Sequence, residues 1–430
     1  MKMNKSLVRI NKFYKSRKDN LIPWESVLSI LQLIGFYDGT LFSNSSFKRW
    51  KIWKIIQISV FIFQSSMAII LLIGFIKYSN PAMVTLFVVV NEIAMILSIV
   101  SGIMYQIIIL YNSRDLTKLA LNLKKVSISI SANIDTSTNS LLLMAIFIAI
   151  SAPILTTMEN IYTTKDYSAS GYFMDPQLSF KTFPKFYYIF SVAVKSNPNP
   201  SLYLFIFTIQ VINEFFQIFC LLMVDIFIYK IIQSYIILYR KSQDNLRMIL
   251  KNSKIVDSES LKIWSRNHNK IKTLTLEGGR LLAPLILAFS LSVPLLIGID
   301  FYFIQQTKHN LPFIKSWQAK IVTILIALLH TGRLFVLTLQ GQKFIDTSNG
   351  LTTVFSESKN CKLTNDAEFE VEEYLIAEKY FPVYFSAYEF FSLSKNFLTT
   401  VFGSIFTYLI ILVQLTADPC WLPKKENQAK

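Results

Sequence analysis

Residues 55–76 carry no charged side chain at all. A run of about 20 apolar residues matches the hydrocarbon thickness of a bilayer, and lipid offers its backbone no hydrogen-bond partner, so the run must be a helix. Six further segments meet the same requirement: 83–111, 140–162, 201–229, 281–304, 321–340 and 396–415. The chain is therefore expected to be an all-α membrane protein with seven transmembrane helices. Pro284 and Pro294 mark the fifth span for kinks. A shorter apolar helix is expected over 380–393, just before the last span. Residues 27–37 are apolar but too short to cross, and read as an interfacial or re-entrant helix. The organisation that follows is an N-terminal stretch (1–54), a body of five spans with the polar loop between the fourth and fifth (55–304), and a C-terminal part with the last two spans (305–430).

Only 16% of residues are charged, against roughly a quarter in soluble domains. Three cysteines, Cys220, Cys361 and Cys420, cannot build a disulfide framework. The net charge of +16 has a location. Thirty of the 43 Lys and Arg fall in the leader and in the 2–3, 4–5 and 6–7 loops, and 11 fall on the opposite side. The positive-inside rule then places the N-terminus in the cytoplasm and, after seven crossings, the C-terminus outside the cell. That orientation is opposite to a G-protein-coupled receptor, and no Asp-Arg-Tyr or Asn-Pro-x-x-Tyr motif stands where such a receptor would carry it. The basic start lacks the apolar core of a secretory signal. Its charge, like that of the 4–5 loop, suits retention beside anionic lipid rather than nucleic acid.

Nothing in the sequence suggests catalysis. His268, His309 and His330 have no metal-ligand spacing, and there is no phosphate loop or Cys-x-x-Cys. No metal and no cofactor are expected. Ionisable groups within spans are costly and therefore functional candidates. Counted inward from the outer ends, Asn91 and Glu92 lie in the second span, Gln210, Asn213 and Glu214 in the fourth, Asp300 and Tyr302 in the fifth and His330 in the sixth. These residues are the expected lining of an outward-opening ligand pocket. Packing offers a plainer role to some of them: Glu214 is expected at the depth of Arg333 and able to pair with it. Asp225 and Lys230, near the inner end of the fourth span, read as solvated. Between Asp346 and Glu378 the last loop holds eight carboxylates, read either as a solvated helix face or as an acidic collar at an inner ion exit.

The final span supplies the most specific signal. Thr407-Tyr408, five apolar residues, then Gln414 and Leu415 closely resemble the C-terminal signature of insect gustatory receptors. Residues 385–393 resemble the approach to that signature. Most gustatory receptors place Phe where Leu415 stands, and leucine there is similar to the odorant-receptor coreceptor of the same superfamily. The resemblance implies a ligand-gated, non-selective cation channel in the plasma membrane of a chemosensory neuron. It would be built from four subunits, as a homotetramer or a heteromer with related receptors, with the last helices lining a central pore. The ligand would be a small-molecule tastant, a sugar or a bitter compound, and the permeant species monovalent and divalent cations. The residues fit that role independently. Ser404, Tyr408, Ile411 and Leu415 share one helix face, so rings of Ile411 and Leu415 form a greasy constriction able to close by dewetting. Gln414 borders that face with an amide for partly hydrated ions. An odorant-receptor-type subunit, a metabotropic seven-helix receptor and a transporter are the alternatives.

Overall fold

The computed structural model describes residues 24–33, 55, 58–66, 69, 86–134, 140–151, 200–252, 255–256, 258–306, 317–357 and 362–417. In chain order these form α1 (Glu25–Leu33), α2 (Leu86–Tyr111), α3 (Ser113–Ser129), α4 (Ser140–Ser151), α5 (Pro200–Asn252), β1 (Ile255–Val256), α6 (Ser258–Gln306), α7 (Trp317–Ser348), α8 (Leu351–Glu357), β2 (Lys362–Leu363), α9 (Asn365–Tyr380) and α10 (Lys395–Ala417). Helical residues 58–66 fall in the expected first span. Residues 152–162 of the expected third span lie outside the described residues. Among the described residues, three helices, α5, α6 and α7, are long and apolar enough to cross a membrane, and α2 with α3 makes a fourth apolar run bent by 63° at the break between them.

Two helices set the scale of the molecule. Proline opens α5, where its missing N–H costs nothing, and no Gly or Pro follows until the helix ends 53 residues later. At 1.5 Å per residue α5 is about 80 Å long, more than twice the hydrocarbon layer, so its polar second half projects beyond the bilayer. The 49-residue α6 does the same in the opposite sense, polar from Ser258 and apolar towards Gln306, and stays one helix through Pro284 and Pro294. These two helices pack with each other and with α2, α3, α7 and α10.

Their shared core is aromatic. Tyr235, Tyr239, Phe289, Phe344 and Phe385 are all buried. The Tyr235 hydroxyl donates to the Leu274 carbonyl at 2.7 Å, and Gly278 leaves the room that its phenol occupies, since a methyl there would overlap the hydroxyl. Further along the polar halves, His268 takes Ser242 Oγ at 3.0 Å on its Nδ1. Its ring sits among Tyr239, Trp264 and Tyr374, with centroids 5.2–5.5 Å away. A second apolar cluster, with Leu246, Val256, Leu261, Leu351 and Val371, closes this end. There the two-residue strands β1 and β2 run parallel, Ile255 opposite Lys362.

In the short N-terminal helix α1 the apolar residues Val27, Leu28 and Leu31, with Trp24 just before it, are buried against the bundle. Trp24 Nε1 donates to Ser234 Oγ of α5 at 2.8 Å and its ring meets Phe227 edge-on. The segment expected as an apolar helix over 380–393 is instead a hairpin-like turn. Pro382 withholds a backbone donor, Tyr388 and Glu389 take positive φ of 50° and 67°, and Ser386 bridges Ser392. Its apolar side chains divide, with Phe381 and Phe390 exposed. Val383, Phe385, Ala387 and Leu393 are buried, and Phe385 packs on Phe344 with ring centroids 4.7 Å apart.

Candidate functional site

The terminal helix α10 hangs from that turn. The Lys395 N–H donates to Gln342 Oε1 of α7 at 3.1 Å, capping one of the donors that a helix start leaves free. Gln342 is itself fixed by Asp346 at 2.7 Å. Phe397 stacks on Phe391, and Phe402 meets Phe335 of α7 at 5.6 Å. At Gly341 of α7 the turn comes so close that a methyl group would overlap the Leu393 carbonyl. One face of α10, with Val401 and Ile405, is buried against the bundle. Ser404, Thr407, Tyr408, Ile411 and Gln414 are exposed in the single chain, Tyr408 at 51% and Ile411 at 48%. The Ser404 and Thr407 hydroxyls donate to carbonyls one turn back, Thr400 and Gly403, at 3.0 and 2.9 Å. Local bonds of this kind let hydroxyls sit on an apolar helix without another partner. Leu415 stands in the same helix, and its side chain is outside the described residues.

Deeper in the bundle the structure joins two pairs of ionisable groups. His330 Nδ1 of α7 lies 2.7 Å from Asp300 Oδ2 of α6, so two of the expected pocket residues meet. Tyr302, two residues on, is buried. One turn along α7, Arg333 grips Asp225 of α5, its Nε on Oδ2 and Nη2 3.4 Å from Oδ1. Tyr105 of α2 is fully buried beside this pair. Four helices thus converge on two adjacent carboxylates and their partners, His330 and Arg333. Asn91 and Glu92 stand in α2, and Gln210, Asn213 and Glu214 in α5, but their side chains are outside the described residues.

Two expectations are corrected here. Arg333 pairs with Asp225, while the Glu214 side chain lies outside the described residues, and neither Asp225 nor Lys230 is solvated, at 8% and 5% exposure. The apolar run ends at Tyr229, whereas α5 continues to Asn252 and its buried stretch extends well past Tyr229. The unspaced pair Asp225 and Arg333, opposite charges in two apolar helices, was the available signal.

Among the described residues, three of the eight carboxylates of the last loop have a side-chain partner, Asp346 among them through Gln342. Glu357 pairs with Arg247 of α5 at 3.3 Å, and Glu370 with Lys262 of α6 at 3.1 Å, while Glu368, Glu372 and Glu373 remain exposed. Glu378 is half-buried, its Oε2 without a hydrogen-bond partner among the described residues. Burial pushes its carboxyl up to about 7, with Lys272 pulling the other way. Burial raises the Tyr374 phenol as well. Among the described residues no group of His, Cys, Asp and Glu could hold a metal ion.

Long apolar helices that bury an ion pair in their midst point to a multi-pass membrane protein. The family model of the 7tm chemosensory receptors matches residues 25–416. The chain belongs to that family, the superfamily of insect odorant and gustatory receptors. No curated protein is similar enough in sequence to match it. Its fold is similar to the insect olfactory receptor OR5 from Machilis hrabei, with a TM-score of 0.65 at 15% identity over 95% of this chain and 99% of the other. It is equally similar to that receptor in complex with eugenol, with a TM-score of 0.65 at 16% identity over 91% and 97%.

Proposed function

We propose that this chain is a gustatory-type receptor of the chemosensory neuron plasma membrane, working as a ligand-gated, non-selective cation channel. Seven spans carry the N-terminus in the cytoplasm and the C-terminus outside, and four copies set their α10 helices around one pore. The observation that carries this reading is the uncovered face of α10. Ser404, Tyr408, Ile411 and Gln414 are uncovered among the described residues, although the helix is held firmly at its start and along its other side. A ring of four copies covers that face with itself and water. Ile411 and Leu415 then form the constriction, and Gln414 meets the ions that pass.

Ligand binding is assigned to the outer halves of the helices, where Asn91, Glu92, Gln210, Asn213, Glu214, Asp300, Tyr302 and His330 supply hydrogen-bonding groups to a small-molecule tastant, sugar or bitter. The Asp300–His330 pair supports this, because a carboxylate already hydrogen-bonded to an imidazole is a fixed acceptor for a ligand hydroxyl. The ligand shifts the channel only by its differential affinity for the open arrangement. Leu415, shared with the coreceptor, supports a second reading as an odorant-receptor-type subunit.

The test is electrical. Purified protein in planar bilayers should pass cation current on addition of a sugar or an alkaloid, without GTP. A C-terminal epitope tag should label unpermeabilised cells. Silence to every ligand from a protein that is monomeric in nanodiscs would remove the channel reading.

A further inference from the structure

An open groove of about 550 Å³ lies between α3 and the polar half of α6. Its walls carry Lys125 and Asn122 from α3 and Arg266, Asn269, Lys270 and Thr273 from α6, with no carboxylate among them. Arg266 and Lys270 stand at i and i+4, as do Asn269 and Thr273, so α6 presents one continuous cationic and amide-bearing face. Like charges at that spacing repel, and Lys125 comes towards them from the facing helix.

Three other cations of this region are paired, Lys118 with Asp115, Arg247 with Asp244 and Glu357, and Lys262 with Glu370. Among the described residues, Lys125, Arg266 and Lys270 are in no ion pair. Asn269 is oriented from behind. The Tyr374 hydroxyl of α9 donates to its Oδ1 at 3.2 Å, which leaves the amide NH₂ as a donor. The groove is thus a cavity with three unmatched positive charges, a planar guanidinium suited to bidentate contacts and neutral donors.

We propose that this groove binds an anion carrying several phosphate groups, either the headgroup of a polyphosphoinositide or a soluble inositol polyphosphate. One phosphate monoester carries a charge of about −1.5 to −2, so a single phosphate leaves the three cations unmatched and two or more balance them. A groove of this volume is of small-ligand size. Depth narrows the class further, and rests on the orientation proposed above, in which these helix ends face the cytosol. The apolar run of α6 starts at Leu281, so a rise of 1.5 Å per residue puts Thr273 about 12 Å and Arg266 about 22 Å beyond it along the helix. The headgroup layer of one leaflet is only about 5–7 Å thick. A serine headgroup falls short of most of the groove. A phosphorylated inositol ring reaches into it from the membrane, and a soluble one enters from water.

The experiment uses the full-length protein in phosphatidylcholine nanodiscs and measures binding, which requires no current and so stands apart from the channel reading. One arm includes a small fraction of phosphatidylinositol bisphosphate, with phosphatidylserine as the comparison lipid. The other adds inositol hexakisphosphate to discs of phosphatidylcholine alone. The variant K125Q/R266Q/K270Q should weaken the probe that binds by about tenfold or more, as expected for lost charge-assisted hydrogen bonds. The control R114Q/K118Q/K124Q, which removes three charges from α3 outside the groove, should change it by less than about twofold. Binding of the lipid probe alone assigns the headgroup, and binding of the soluble probe assigns the free polyphosphate. Absence of binding by either probe overturns the proposal, as does equal weakening by both variants, which would mean diffuse surface charge. Should the triple variant elute as aggregate, R266Q alone decides between the same results.

Discussion

The polar halves of α5 and α6 and the terminal helix α10 are built on opposite terms. In the first region Tyr235, Tyr239, His268 and Phe344 are all at 1% exposure or less, and the helices are tied by a strand pair, hydrogen bonds and ring contacts. In the second, one flank is packed and capped while the other shows Phe406, Tyr408, Ile410 and Ile411 to the surroundings at 48–60%. The first region is completed within the subunit, and the second keeps an apolar flank exposed. The hairpin-like turn at 383–393 is the joint between them.

That contrast breaks most visibly where the bundle buries charge. Asp225→Asn leaves Arg333 buried without its counter-ion, and removal of one partner from such a pair costs about 3–5 kcal/mol. Thermal unfolding in detergent should fall accordingly, and R333Q should cost a similar amount, with the D225N/R333Q double variant recovering part of the loss. A double variant no better than the sum of the two singles would mean that the residues act independently. The joint is next. A valine at Gly341 must displace the Leu393 backbone, and overpacking of this kind costs about 1–3 kcal/mol. G341V should lower stability by that amount and loosen α10, seen as faster hydrogen exchange at residues 395–402, while G102A, which has open space around it, should leave exchange there unchanged.

How far these features can be read from sequence depends on the range of the interaction that creates them. Spans are legible because the cause is local: an uncharged run such as 55–76 has only one way to satisfy its backbone in lipid. The α10 face is legible for the same reason, since its residues lie at helical spacing. The turn at 383–393 is not, because Phe385, Phe390 and Leu393 look like any apolar helix until Phe344 and Gly341, some 50 residues away, supply the surface that the turn fits. The Asp225–Arg333 pair is hidden by a longer separation still. Burial of Asp225 depends on α5 continuing past Tyr229, and its partner lies 108 residues on. The cationic groove shares this property, for Lys125 and Lys270 read singly as solvated charges.

A smaller effect tests the packed region through pH. The Glu378 carboxyl, pushed up to about 7 by burial, favours its neutral form in the folded protein. A group raised in this way contributes stability at low pH that is lost as pH rises from its unfolded value near 4.5 through 7. E378Q, neutral throughout, should match the wild type near pH 5 and exceed it at pH 8, by about 1 kcal/mol or less given partial solvent exposure. Lys272 works against the shift, so K272Q should widen the difference between the two pH values. A gap between E378Q and wild type that is independent of pH would show that the carboxylate is solvated.

The smallest expected effect on stability is also the sharpest test of the bare flank. Gln414 is exposed, and a surface substitution with no partner to lose stays within about 0.5 kcal/mol. Gln414→Ala should therefore leave surface expression and unfolding temperature alone. If four copies close around this face, however, the same change removes a ring of amides from the path of the ions, and reversal potentials in mixed monovalent and divalent solutions should move. The two readouts separate what a lipid-facing helix and a pore-lining helix share. A lipid-facing Gln414 predicts that neither measurement changes, or that stability improves as a polar group leaves the hydrocarbon. A pore-lining one predicts altered permeation at constant stability, which a surface that merely faced lipid has no means to produce.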